Sequence, residues 1–356
     1  MKIAEFDNNN FTILRLVLAL AVVLGHFKAF IGIVGPPWPF NYASAAVDCF
    51  FVVSGYLVTL SFDRDSSFQR FYLRRFFRIY PLYLVVVIVQ MFVLASLADG
   101  GILGNVRSMM SYLALNAIFA NFIQHDIGGV MRDLTDPSLN ASLWTLKIEF
   151  GFYLLLPFIW LGVRRYGIAL LVVIFALSAI YQETLRDYGQ LQLAKQLPGQ
   201  LQFFVLGVAA YKYRDYIKLR SDVALIAAGV LGLAMTMLIQ LRTPVVYPLV
   251  VAAFVMITAL RTPPVNLRND ISYGVYLLHA PIIQLSLLFG IYRPDWVGLT
   301  AIIAAVLVLA ICAERWIEIP GIAMGRSLAK RAGPKTRRQA PSERDRVLVP
   351  ETASTR

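Results

Sequence analysis

Eleven apolar runs leave this chain few folds to choose from; they lie at about residues 12–32, 43–61, 80–98, 109–125, 143–163, 166–182, 199–211, 221–241, 245–260, 271–290 and 297–317. About 20 apolar residues in a helix cross the ~30 Å hydrocarbon core of a bilayer, and a helix satisfies its own backbone hydrogen bonds there. Only 15% of the residues are charged and mean hydropathy is +0.65, against roughly 25% charge in a soluble domain. The fold class expected is all-α: a polytopic membrane bundle.

Charge decides which run does not cross. Arg64, Arg70, Arg74, Arg75 and Arg78 lie between the second and third runs, and further basic clusters follow at 164–165, 212–220 and 261–268 and in the tail. If all eleven runs cross, these clusters fall on opposite sides. If 109–125 stays re-entrant or interfacial, 23 Lys and Arg face the cytoplasm against seven outside. Asn116, Asn121 and Gln124 within that run favour the second arrangement. About ten transmembrane helices with both termini cytoplasmic are therefore expected, in an integral membrane domain over 1–320. A basic tail over 321–356, rich in Arg, Ser, Pro and Glu, is expected to be disordered.

The same charge pattern argues against a nucleic-acid partner, because the net charge of +12 is spread over short loops and the tail. Cys49 and Cys312 both fall in spans, so neither a structural disulfide nor a cysteine metal site is expected. No metal-binding, Walker or dinucleotide motif occurs. Arg15 interrupts the first run, which reads as an uncleaved first helix.

Ionisable residues inside spans are costly and are candidate functional groups. Arg15 and His26 are eleven residues apart, so they share one helix face and lie about 16 Å apart along it. A snorkelling Arg and an interfacial His would also fit that pattern. On the ten-span topology His26, Asp48 and Glu149 reach one layer, roughly 8–9 Å below the outer surface. A carboxylate beside a histidine orients it as a general base, though burial of paired charges alone is the alternative. Arg75 and Arg78, at i and i+3, share a helix face before Pro81, which reads as the first turn of span three. Arginine forks suit phosphates, and equally serve as positive-inside anchors. Ser142 and Trp144 stand at the outer mouth of span four. Tyr273 and His279 open span nine, and Glu318 closes span ten. Asn140-Ala-Ser142 matches a glycosylation acceptor, and His125 looks incidental.

Read in order, several pieces resemble the bacterial acyltransferase family 3, membrane enzymes that decorate surface sugars. They are Arg15-x10-His26, Asp48-Cys-Phe-Phe-Val-Val-Ser54-Gly55, Arg74-Arg75-Phe-Phe-Arg78-Ile-Tyr-Pro81, Ser142-Leu-Trp144-Thr-Leu-Lys-Ile-Glu149, Ser272-Tyr273-Gly-Val-Tyr-Leu-Leu-His279 and Glu318-Ile-Pro320. The resemblance implies a cytoplasmic acyl-CoA donor, usually acetyl-CoA, and a carbohydrate hydroxyl, polymeric or lipid-linked, as acceptor. It implies a bacterial inner-membrane location and a stand-alone enzyme without a fused hydrolase-like domain. His26 matches the family histidine, Arg15 its arginine partner, and Arg75 and Arg78 the paired cytoplasmic arginines. Lys147 departs from the pattern, standing where relatives usually have a small residue. A transporter or flippase using the same groups as an ion relay, and a non-catalytic export partner, are the competing readings.

Overall fold

The computed structural model describes residues 9–32, 43–216, 219–241, 243–265, 267 and 269–332. Its long elements are α1 (Phe11–Ile31), α2 (Ala43–Arg64), α3 (Phe68–Leu97), α4 (Val106–Ala117), α5 (Leu143–Tyr166), α6 (Ile168–Asp187), α7 (Leu197–Lys212), α8 (Ser221–Gln240), α9 (Val246–Arg261), α10 (Ser272–Leu288) and α11 (Trp296–Ala313). A π-helical turn at Glu314–Glu318 then leads into α12 (Ile319–Arg331). No strand occurs among the described residues. The protein is an all-α membrane bundle.

Among the described residues seven helices are long and apolar enough to cross a bilayer: α1, α2, α3, α5, α6, α8 and the continuous Trp296–Arg331. The other three expected spans, α7, α9 and α10, have 16, 16 and 17 residues and rise only about 24–26 Å. α4 has 12 residues, about 18 Å of rise, too short to span. Large apolar side chains such as Val172, Leu177, Ile180, Val230 and Met237 point outward, where a bilayer supplies their apolar surroundings.

Small residues set how closely the spans approach. α2 and α7 cross at Gly55 and Gly207. A Cβ on Gly55 would lie 2.1 Å from the Phe204 carbonyl oxygen, and one on Gly207 would lie 2.2 Å from that of Val52. Only glycine permits that backbone contact. Gly55 is therefore a packing residue at this crossing.

Two expectations change. α3 does not begin near Pro81; it begins at Phe68, where Ser67 Oγ accepts from the Arg70 amide. The arginine cluster and span three are one 30-residue helix with Pro81 inside it. Pro81 has no N–H for the Phe77 carbonyl, and Gly321 of α12 fits against that gap, a Cβ there lying 3.1 Å from Phe77 O. Residues 321–331, expected to open the tail, are instead helical in α12, which packs on α3. The rest of the expected tail, residues 333–356, lies outside the described residues.

Candidate active site

Two cavities open at opposite ends of the bundle. The first, of about 630 Å³, lies at the end holding the α2–α3 turn and is lined by Arg15, Arg74, Arg75, Arg78 and Arg326, with Ser54, Glu149 and Tyr273. Asp270 organises its inner wall. Its Oδ2 pairs with both Arg15 and Arg78, while Oδ1 accepts from Ser272 Oγ at 2.6 Å at the start of α10. Burial opposes ionisation of Asp270, but the two guanidiniums outweigh it and hold the carboxyl down to about 2. At the rim Asp65 binds Arg70 at 2.5 Å and Arg74 at 2.6 Å. The hydrogen bonds from Arg70 and Arg74 hold that carboxyl well below its ordinary range. Arg75 instead lies against rings, its guanidinium 5.6 Å from Tyr153 and 5.9 Å from Phe71. Arg75 Nε and Arg74 Nη2 are buried without a hydrogen-bond partner among the described residues.

The second cavity, of about 510 Å³, lies at the other end. His26, Phe30, Phe122, His125, Asp136, Asn140, Trp144 and Lys195 line it. His26 packs against the Phe30 ring, centroids 5.2 Å apart, and meets His279 edge to edge, with centroids 5.0 Å apart and ring planes 21° from parallel. Lys147 sits 4.5 Å over the Phe122 ring, which gives this unusual residue an attractive partner.

A thin layer separates the cavities. Thr145 Oγ1 donates to Ser142 O at 2.9 Å, so its one proton is used. Tyr276 Oη therefore donates to Thr145 Oγ1, at 2.7 Å. Both residues line the first cavity, whereas the adjacent Trp144 lines the second. His279 is wholly buried behind this pair, its ring 6.0 Å from Tyr276 and its Nε2 2.7 Å from His26 Nδ1. Pro281 shapes the same turn of α10. It leaves the Leu277 carbonyl without its helical donor, and Asn140 Nδ2 fills that role at 3.1 Å. Asn140 is thus a buried structural donor, not an exposed glycosylation acceptor.

A family profile for an acyltransferase domain matches residues 8–315. The chain belongs to acyltransferase family 3. Nodulation protein 10 of Rhizobium leguminosarum bv. viciae is 29% identical over 361 residues, covering 91% of this chain and 95% of that protein. Peptidoglycan O-acetyltransferase OatA of Listeria monocytogenes serovar 1/2a is 25% identical over 86% of this chain and 54% of its own length. An O-acetyl transferase of Shigella phage Sf6 is 30% identical over 42% of this chain and 44% of its own. No solved structure matches significantly. The protein is an acyltransferase.

Within this family member the predicted site residues divide. Arg15 and His26 do share a face of α1, Arg15 meeting Asp270 just before α10 and His26 meeting His279 within it. Neither carboxylate expected to orient His26 does so. Asp48 accepts from Tyr247 Oη at 2.7 Å, and Glu149 accepts from Tyr153 Oη at 2.5 Å and lines the arginine cavity. Equal depth along a span fixes height but not rotation, and α2 and α5 turn these side chains elsewhere. Tyr273 Oη donates to Ile79 O at 2.9 Å, tying α10 to α3. Among the described residues Ser54 Oγ and Ser142 Oγ are buried without partners, as is Glu318 Oε1 at the end of the π-helical turn. The sequence alone does not single out Asp65, Asp270, Thr145 or Arg326, and gives Tyr276 only as part of the Ser272–His279 motif. Asp270, two residues before Ser272, carried a capping signal that could have been read. His125, which looks incidental in the sequence, lines the cavity of His26.

Proposed function

We propose that this acyltransferase moves an acyl group, acetyl in the simplest case, from cytoplasmic acyl-CoA to a hydroxyl of an exopolysaccharide, lipopolysaccharide or lipid-linked oligosaccharide. It would work in the bacterial inner membrane with both termini cytoplasmic, as the basic loops favour. The observation that carries the reading is the layer between the cavities: Tyr276 faces the arginine cavity, His26 faces the other, and His279 touches both.

The residues present fit a phosphate-bearing acyl donor. Arg74 Nη2 and Arg75 Nε are buried donors without a hydrogen-bond partner among the described residues, and Arg15 and Arg78 are held in place by Asp270. Such a donor supplies the activated thioester. Arg75 and Arg78 would hold its phosphates, and Tyr276 would face the acyl end where the cavity closes. On the far side, Trp144, Phe122 and the amide of Asn121 offer ring faces and neutral polar groups suited to a sugar. His26 is the general base there. The names of the relatives, O-acetyltransferases among them, support the reaction type.

The decisive experiment measures incorporation of labelled acetyl from acetyl-CoA into polysaccharide in membranes carrying the protein. His26→Gln keeps a polar side chain but no base at neutral pH, so transfer should fall by about 10²–10⁴-fold at an unchanged membrane level. A well-inserted His26→Gln protein transferring acetyl at the normal rate would refute the reading.

A further inference from the structure

One backbone carbonyl determines where the protons of the two histidines lie. Val275 O is 3.2 Å from His279 Nδ1, and a carbonyl oxygen only accepts, so Nδ1 carries the hydrogen. His279 is fully buried and makes no ion pair among the described residues, so a charged imidazole there would be costly. The neutral ring has one N–H, which leaves the lone pair on Nε2. His26 Nδ1, 2.7 Å away, must then be the donor to it. A neutral His26 with its hydrogen on Nδ1 has its own lone pair on Nε2. The ring plane is fixed as well, by Phe30 against the ring and by the in-plane hydrogen bond to His279.

We propose that His279 is the positioning residue of this enzyme: it locks His26 in the Nδ1–H tautomer, so that Nε2 is the atom that acts. The inference rests on the reading of His26 as the base and adds which nitrogen works and what holds it. With the acyl end carried past the Thr145–Tyr276 layer to His26, His26 Nε2 takes the proton of the acceptor hydroxyl while the hydroxyl oxygen bonds to the thioester carbonyl carbon. As the C–S bond breaks, His26 Nε2 returns that proton to the leaving thiolate, giving ester and free thiol. Histidine suits the place better than a carboxylate, because it accepts the hydrogen bond without a permanent charge inside the bundle. The neighbouring ionisable groups, His125, Asp136 and Lys195, lie on the cavity side of His26 and leave its Nδ1 to His279.

The chain has three histidines, so nitrogen-15 histidine NMR of the full-length protein in lipid can separate them, with His26 assigned by its loss in His26→Gln. The wild type should show His26 protonated at Nδ1 and bare at Nε2. His26 protonated at Nε2 would overturn the proposal, and that spectrum needs no variant of His279. In the transfer assay His279→Leu should lower kcat by about 10²-fold. His279→Gln offers an amide oxygen to the same Nδ1–H and should recover most of the loss. Equal impairment of inserted Leu and Gln variants would overturn the lock. Failure of the base reading is a separate result, seen as activity in His26→Gln whatever tautomer the spectrum reports.

Discussion

The two cavities differ less in size than in how they hold polar groups. The arginine cavity is a network of ions: Asp270 bridges Arg15 and Arg78, and Asp65 bridges Arg70 and Arg74. The histidine cavity draws on rings, amides and hydroxyls, with single charges at Asp136 and Lys195. The first can recognise an anion at a fixed place, because its forks are oriented before anything binds. The second suits a neutral polyol, whose recognition depends on stacking and hydrogen bonds. Between them lies a layer with no carboxylate in it: Thr145, Tyr276, His279 and His26. At the point where the two cavities approach, the chain thus presents neutral proton carriers, where charge is costly.

The strongest way to break this contrast is to remove the pivot of the ionic end. Asp270→Asn would remove the carboxylate that pairs directly with both Arg15 and Arg78. Breaking a buried pair costs about 3–5 kcal/mol, and roughly 2–3 is expected here because the Asp270 side chain is 27% exposed. The midpoint of thermal unfolding in detergent should fall, and transfer with it. An unchanged midpoint would mean that the arginines hold their positions without Asp270.

Next in size is a change on the donor side alone. Arg75→Gln with Arg78→Gln should raise KM for acyl-CoA by about 10²-fold, taking 1.5–3 kcal/mol per charge-assisted contact as the scale. The acceptor KM should stay put. Unchanged acyl-CoA affinity in that protein would reduce both arginines to membrane anchors. Trp144→Ala tests the other end with the opposite pattern, since loss of a stacking ring is worth about 1 kcal/mol and should raise the acceptor KM several-fold. A Trp144 variant that weakened acyl-CoA instead would erase the division between the two cavities.

What could be read from residues alone follows this same division. Apolar runs and basic loops are one-dimensional signals, so the bundle, the short α4 segment and the cluster at Arg74–Arg78 were visible. The spacing of Arg15 and His26 was also enough to put both on one face. Partners were not visible, because pairing depends on how each helix is rotated and on turns with no periodicity. Asp48 and Glu149 had the right height and the wrong direction. His279 lies 253 residues from His26, and no local pattern ties the two together. Asp65 and Asp270 sit in connections between helices, where a hydropathy reading gives no direction for a side chain.

α12 carries the smallest and most specific test. Its sequence, Ile-Pro-Gly-Ile-Ala-Met-Gly-Arg-Ser-Leu-Ala-Lys-Arg, is too polar at one end to read as a span, so Arg326 was assigned to a disordered tail. In the fold Gly325 lies against Phe77, where a Cβ would come within 2.6 Å of that side chain's Cβ, and this close approach brings Arg326 to the rim of the arginine cavity. Arg326 is exposed, so water and salt screen it far more than Arg75 or Arg78. Arg326→Gln should therefore raise the acyl-CoA KM only about two- to fivefold at low salt, corresponding to the 0.2–1 kcal/mol of exposed ion pairs, with kcat and the acceptor KM unchanged. The difference from wild type should vanish near 1 M salt, where the Debye length is about 3 Å. A loss that persists at high salt would mean that Arg326 enters the cavity and binds the donor directly, making α12 part of the site rather than its rim.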